Sequence, residues 1–191
     1  MDPEPLRIDY RLFPTAIGPC GITWSPHGIC GVQLPETTAA RTRARLLRAW
    51  PGAQCGPIPH PVQRVIDDIV ALLAGERRDL QHAVLDLRAL SDFQRRVYAI
   101  VRAIAPGQSL SYGEVAALCG EPGAARGVGH ALGCNPFPLV VPCHRVLAAH
   151  RRSGGFSAPG GVAMKLRLLQ LEGWTGGGGS AASPATLALP F

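Results

Sequence analysis

The sequence predicts an α+β fold: a small N-terminal β-sheet unit with helices, then a mostly helical C-terminal unit. Three observations carry this. Residues 8 to 34 hold short apolar runs broken by Gly18-Pro19, Pro26-His27-Gly28 and Gly31, the pattern of strands and turns. From residue 61 onward apolar side chains recur at helical spacing, as in Val62, Val65, Ile66, Ile69, Val70 and Leu73. The 191 residues are 47% hydrophobic and 17% charged, which suffices for a core without staples and argues against a disordered chain.

The elements follow in order. Residues 28 to 34 read as a strand after a turn. Residues 37 to 50, rich in Ala and Arg, read as a helix stopped by Pro51-Gly52. Residues 61 to 73 form a second helix that Gly75 ends. The character changes between residues 80 and 91, which divides the chain into 1–88, 89–174 and a flexible, catalytically idle tail at 175–191. Ser91 caps a helix with Phe93, Val97, Ile100, Val101 and Ile104 on one face, broken by Pro106-Gly107. Ser111 opens a short helix that Gly120 ends. A second short helix runs from about Ala124 to Gly133, after Glu121-Pro122-Gly123. Two short helices joined by a Gly-containing turn fit a helix-turn-helix or an ordinary αα-hairpin equally. Leu139-Val140-Val141 reads as a short buried strand, residues 149 to 161 as a basic, Gly-rich loop, and residues 162 to 172 as a last helix.

The formal charge is +6, which suits an anionic partner such as nucleic acid. The arginines are scattered, with Arg41, Arg43, Arg45 and Arg48 in one cluster and Arg151, Arg152 and Arg167 in another. Six cysteines are present, but Asp2, Pro3, Glu4 and Pro5 do not read as a signal peptide, and no apolar run reaches membrane-spanning length. The reading is a cytoplasmic protein with reduced thiols and no membrane association. Cys20, His27 and Cys30 lack a second ligand pair at zinc spacing, so no metal is expected.

The chemistry concentrates in Asn135-Pro136-Phe137-Pro138-Leu139-Val140-Val141-Pro142-Cys143-His144-Arg145-Val146. A thiol directly after proline, at the start of a helical turn, meets unpaired N–H groups that favour the thiolate. His144 can take its proton, and a carboxylate such as Glu172 can orient that imidazole. For an isolated Cys-His pair the ordinary reading is a buried Cys beside a surface His.

The pair is not isolated. Pro142-Cys143-His144-Arg145-Val146 resembles the active-site motif of the O6-alkylguanine-DNA alkyltransferases, or methylated-DNA–protein-cysteine methyltransferases. Ser111-Tyr112-Gly113-Glu114-Val115-Ala116, Ala124-Ala125-Arg126-Gly127-Val128-Gly129 and Asn135-Pro136 resemble further family motifs in order. So do Gly155-Phe156, Gly160-Gly161, Lys165, Leu168-Leu169 and Glu172-Gly173. The likeness spans roughly residues 91 to 173. The N-terminal half resembles the family's β-rich, ribonuclease-H-like domain only faintly, through Thr15-Ala16-Ile17-Gly18 and residues 28 to 34.

The resemblance implies single-turnover repair of O6-alkylguanine in double-stranded DNA, with O4-alkylthymine as a second candidate substrate. It implies a monomer and no external cofactor. Cys143 would accept the alkyl group, and His144, through a water and oriented by Glu172, would withdraw its proton. Asn135 would brace the turn, and Tyr112 would protonate the departing guanine. Val146, Phe156 and Ser157, with Tyr112, would line the base pocket. Arg126 would fill the gap left by the extruded base, with Ala125, Gly129 and Ser111 beside it on the DNA. Phe156 stands where many relatives carry Tyr, and the Ser157-Ala158-Pro159 loop is longer than in many relatives. The rival readings are a lesion-recognising helix-turn-helix protein without transfer, a transcription regulator, and a cysteine hydrolase.

Overall fold

The computed structural model describes residues 7–149 and 152–175; most of the expected tail lies outside them, as does Arg151. The N-terminal half is built on a four-stranded sheet in which the strands lie in the order third, second, first, fourth along the chain. β1 (Asp9–Phe13), β2 (Cys20–Ser25) and β3 (Gly28–Gln33) form an antiparallel meander, and β4 (Gln54–Cys55) runs parallel to β1. Turns at Gly18 and at Pro26-His27-Gly28 make the meander possible. Gly28 has φ +134°, and a Cβ there would lie 2.7 Å from the Val84 carbonyl oxygen. That close approach lets Ile29 N donate to Val84 O and Asp86 N donate to Ile29 O, so the chain between the two halves lies along β3.

The helices α1 (Ala39–Ala49) and α2 (His60–Leu73) lie within residues 37 to 50 and close to 61 to 73, where periodicity puts them. Thr38 caps α1 by accepting from Arg41 N, and Pro61 sits in the first turn of α2, where a missing N–H costs nothing. The inward face of α2, Val62, Val65, Ile66, Ile69, Leu72 and Leu73, is buried. Burying one such side chain contributes about 1.5–3 kcal/mol.

The C-terminal half contains α3 (Asp92–Arg102), α4 (Tyr112–Leu118), α5 (Ala125–Gly133) and α6 (Gly161–Leu171). Complete capping boxes start two of them: Ser91 with Gln94 on α3, and Ser111 with Glu114 on α4. α3, α4 and α5 pack on one another through Val97, Val101, Val115, Ala116 and Val128, all fully buried. The hydrophobic core is continuous, running from Ile22 and Ile69 in one half to Val97, Val141 and Leu168 in the other.

One expectation is corrected. Residues 139 to 141 are not a strand. Leu139 has φ +75°, and Val141 N donates to Phe137 O, so this apolar run is folded into a tight turn. Core packing, not sheet pairing, buries it. The pairing falls instead on two-residue strands that sequence reading does not detect: β5 (Leu110–Ser111) runs parallel to β6 (Val146–Leu147).

Candidate active site

The tight turn has a side-chain brace. Asn135 Nδ2 donates to Val141 O at 2.9 Å, while Asn135 Oδ1 accepts from Phe137 N at 2.9 Å. One amide thus ties both ends of the turn, satisfying backbone groups that burial would otherwise leave unpaired. The turn delivers Pro142 and then a single 3₁₀ turn, Cys143–Arg145. β6 follows at once, and its pairing with β5 holds the start of α4 beside it. Tyr112 and Cys143, thirty-one positions apart, are brought together by that pairing of Leu110 with Val146 and Ser111 with Leu147.

Cys143 sits at the junction of two adjoining cavities. One, of about 510 Å³, is lined by Tyr112, Gly129, Leu132, Gly133, Cys143, Gly155, Phe156 and Ser157. The other, of about 340 Å³, runs from Cys143, Phe156 and Ser157 toward Leu34, Leu46 and Trp50 of the N-terminal half. Burial pushes the Cys143 thiol up. Opposing it are the hydrogen bond from Asn135, the charge of Lys165 and the amides of Cys143 and His144. The helical-turn amides do favour the thiolate, as the sequence suggests, but burial outweighs them. The resting group is a thiol, and its proton must be removed when it reacts.

Beside it is a fully buried chain of charge. His144 Nε2 lies 2.9 Å from Glu172 Oε1. Arg145 Nε donates to Glu172 Oε2 and Arg145 Nη2 to Glu172 Oε1, both at 2.8 Å, and Arg145 Nη1 donates to Ile104 O. Burial pushes the Glu172 carboxyl up, but the hydrogen bonds and charges of His144 and Arg145 overcome it and hold it at about 2. Burial also pushes His144 down, against its bonds to Glu172. A neutral imidazole beside an ionised carboxylate donates from Nε2, which leaves Nδ1 as the basic nitrogen. Nδ1 is buried and has no hydrogen-bond partner among the described residues.

Phe156 and Ser157 line both cavities, and Ser157 Oγ donates to Gly133 O at 3.0 Å. Gly129 faces the Tyr112 ring, which a Cβ would meet at 3.9 Å. Arg126 and Ala125 open α5, with Arg126 exposed. Val146 is fully buried behind the turn, its carbonyl accepting from Lys165. Ser111 is spent on its helix cap, accepting from Glu114 N at 3.1 Å. Cys20 and Cys30 are buried in the core and His27 is exposed at a turn; among the described residues no trio of metal-ligating side chains gathers. All six cysteines are free, and burial raises Cys20 to about 12.

Sequence reading gave no role to Lys165 or Arg145. Lys165 is fully buried, with Nζ donating to Val146 O at 2.7 Å and to Gly155 O at 3.4 Å. It stands 5.8 Å from the centre of the Tyr112 ring, and burial lowers it to about 8. The available signal is its place on α6, three and four residues before buried Leu168 and Leu169.

Comparison with known proteins agrees with this geometry. Residues 92–174 match the family described as 6-O-methylguanine DNA methyltransferase, DNA binding domain. The methylated-DNA–protein-cysteine methyltransferase of Methanothermobacter thermautotrophicus is 43% identical over 153 residues, 80% of this chain and 78% of that protein. The protein of that name from Mycobacterium tuberculosis is 38% identical over 167 residues, 86% of this chain and 92% of that one. The crystal structure of Mycobacterium tuberculosis OGT in complex with DNA is similar with a TM-score of 0.67 and 34% identity, over 94% of this chain and 98% of that chain. With relatives this similar over most of its length, and the Cys143 thiol followed at once by a buried imidazole that pairs with the Glu172 carboxylate, the chain belongs to the methylated-DNA–protein-cysteine methyltransferase family.

Proposed function

We propose that this protein repairs alkylated DNA by transferring the alkyl group from O6 of guanine to Sγ of its own Cys143. The observation that carries the reading is the thiol at a cavity junction beside a buried His144–Glu172 pair whose Nδ1 is left basic. A guanine inside a duplex is out of reach of a buried thiol, so the nucleotide is extruded into the larger cavity. Tyr112 and Phe156 offer that base flat aromatic walls.

The thiol proton passes through one water to His144 Nδ1, and Glu172 holds the resulting imidazolium. Sγ bonds to the alkyl carbon as the carbon–O6 bond breaks, and the electron pair moves into the guanine. Tyr112 supplies the proton that makes guanine a neutral leaving group. Burial pushes Tyr112 up, so it stands as a phenol that still holds the proton the leaving guanine takes. The two protons re-equilibrate with solvent afterwards. The product is a thioether, which has no hydrolytic exit, so each molecule acts once and needs no external cofactor.

Arg126 enters the duplex in this reading. It lies in the first turn of α5, where the helix dipole disfavours a cation and no acid offsets it. A position poor for the helix is well suited to an incoming polyanion. Minor-groove approach with a side chain filling the vacated stack suits extrusion better than sequence readout. The working unit is a monomer on double-stranded DNA in the cytoplasm.

The test is intact and peptide mass spectrometry after mixing the protein with duplex DNA carrying one O6-methylguanine. The expected result is one added methyl per molecule, on Cys143, absent from Cys143→Ser. Lesion binding without mass gain would leave only a recognition module. Neither binding nor mass gain would remove the functional reading altogether.

A further inference from the structure

The two helices that receive the base are poor in positive charge. Residues 111–134 carry two carboxylates, Glu114 and Glu121, against one cation, Arg126. Attraction for a polyanion therefore has to come from elsewhere on the molecule.

α1 supplies the contrast. It carries Arg41, Arg43, Arg45 and Arg48 and no acid. Arg43 is committed, with Nε donating to Tyr10 Oη at 2.7 Å. Arg41, Arg45 and Arg48, at spacings of four and three, share one face and are all exposed. Arg45 pairs with Glu36 at 3.0 Å. Arg41 reaches only the Thr37 hydroxyl, at 3.5 Å, and among the described residues Arg41 and Arg48 have no ion-pair partner. Like charges at this spacing destabilise an isolated helix, so the stripe does nothing for α1 itself.

Its position is informative. Arg45, Ala49 and Trp50 line the same cavity as Cys134, Phe156 and Cys143, so this face adjoins the rim of the base site. Seven residues of helix span about 10 Å, and duplex DNA presents one phosphate per strand for about every 3.4 Å of axis. The stripe thus spans about three phosphates. We propose that the arginine face of α1, in the N-terminal half, is a second phosphate-binding surface that holds the duplex flank beside the lesion. The proposal rests on the reading of DNA as the substrate.

The test uses the full chain carrying Cys143→Ser, so that binding is measured without transfer. Fluorescence anisotropy follows a duplex with one O6-methylguanine between about 50 and 200 mM salt. Adding Arg41→Gln and Arg48→Gln is expected to weaken binding about tenfold at the lower salt. It is also expected to reduce the slope of log K against log salt by about 1.8, or about 0.9 per lost phosphate contact. Adding Arg41→Glu and Arg48→Glu instead weakens binding further, with an unchanged thermal midpoint showing that the fold is intact. With Cys143 restored, the Gln pair should react with free O6-benzylguanine, a base without phosphates, at the unsubstituted rate. Equal affinity and equal slope in both pairs would overturn the proposal and leave alkyl transfer standing. Failure of the unsubstituted protein to react with base or duplex would instead overturn the transferase reading on which it rests.

Discussion

Glu172 is the residue on which the electrostatics of the site turn. It accepts from His144 and twice from Arg145, and all three are buried. Removing one member leaves an uncompensated buried charge, which costs about 3–5 kcal/mol. Glu172→Gln should therefore lower stability by about that much at pH 7 and slow methyl transfer. Its pH dependence has a defined sign. The folded carboxyl is held at about 2 against an ordinary 4.5, so its contribution is complete above about 4.5 and is lost as pH falls toward 2. His144, depressed below its ordinary 6.5, adds to the loss below that pH, because the unfolded chain then binds the extra proton. Urea unfolding at pH 7 and pH 3 should show the gap between wild type and Glu172→Gln narrowing in acid; a constant gap would mean that the carboxylate charge is not what stabilises the fold. At this scale the proposed nucleophile Cys143, base His144 and carboxylate Glu172 were legible as candidates, because each is a residue type the chemistry requires, and the structure brings His144 and Glu172 together. Lys165 and Arg145 were not, since a pattern cannot say whether a long cation reaches solvent or bends into the core.

The helices were legible from capping and period, and the short pairings were not. Ser91 and Ser111 announce themselves locally, through side chains that bond the backbone of their own helix starts. β5 and β6 have no such signature. Their partners lie thirty-six residues apart, and two residues are too few for any alternation to show. The apolar run at residues 139 to 141 misleads for the same reason: hydrophobicity reports burial, and the Asn135 brace and Leu139 backbone decide how burial is achieved. The cap of α4 matters beyond the helix because Tyr112 is its first residue. Ser111→Ala removes the bond to Glu114 N and should cost about 1 kcal/mol. Fraying at that end moves Tyr112 away from Cys143, so single-turnover transfer should slow by more than the stability loss explains. A variant equally destabilised by truncation on the far face of α2 is the comparison; equal slowing in both would reduce the cap to a general stability element.

For the molecule as a whole, the question is how a sheet in one half sets a thiol in the other. The chain pattern reads as two units, yet the core is continuous and β3 touches the thiol turn directly: Val32 N donates to Pro136 O at 2.8 Å. This contact was not legible, because it joins two backbone groups whose side chains carry no mark of it. Gly31 makes it possible. A Cβ there would lie 2.9 Å from Trp50 Nε1, 3.1 Å from Thr23 Oγ1 and 3.2 Å from Pro136 O. The first of these forces a shift, and the Trp50 indole is too rigid to yield by bending alone. Gly31→Ala should therefore cost about 1–3 kcal/mol, as overpacking does, and push Pro136 off β3. Asn135 and the turn it braces would move with Pro136, and Cys143 would lose its alignment with His144. Transfer should slow even at temperatures where the variant is fully folded. Gly52→Ala is the control. Its φ of +84° strains a side chain, but nothing lies within 4 Å, so it should lower stability without slowing transfer. If Gly31→Ala lowers the urea midpoint and leaves the transfer rate at the wild-type value, the sheet supports the thiol turn without aiming it. If both fall and Gly52→Ala loses stability alone, the N-terminal half is part of what positions the reacting sulfur.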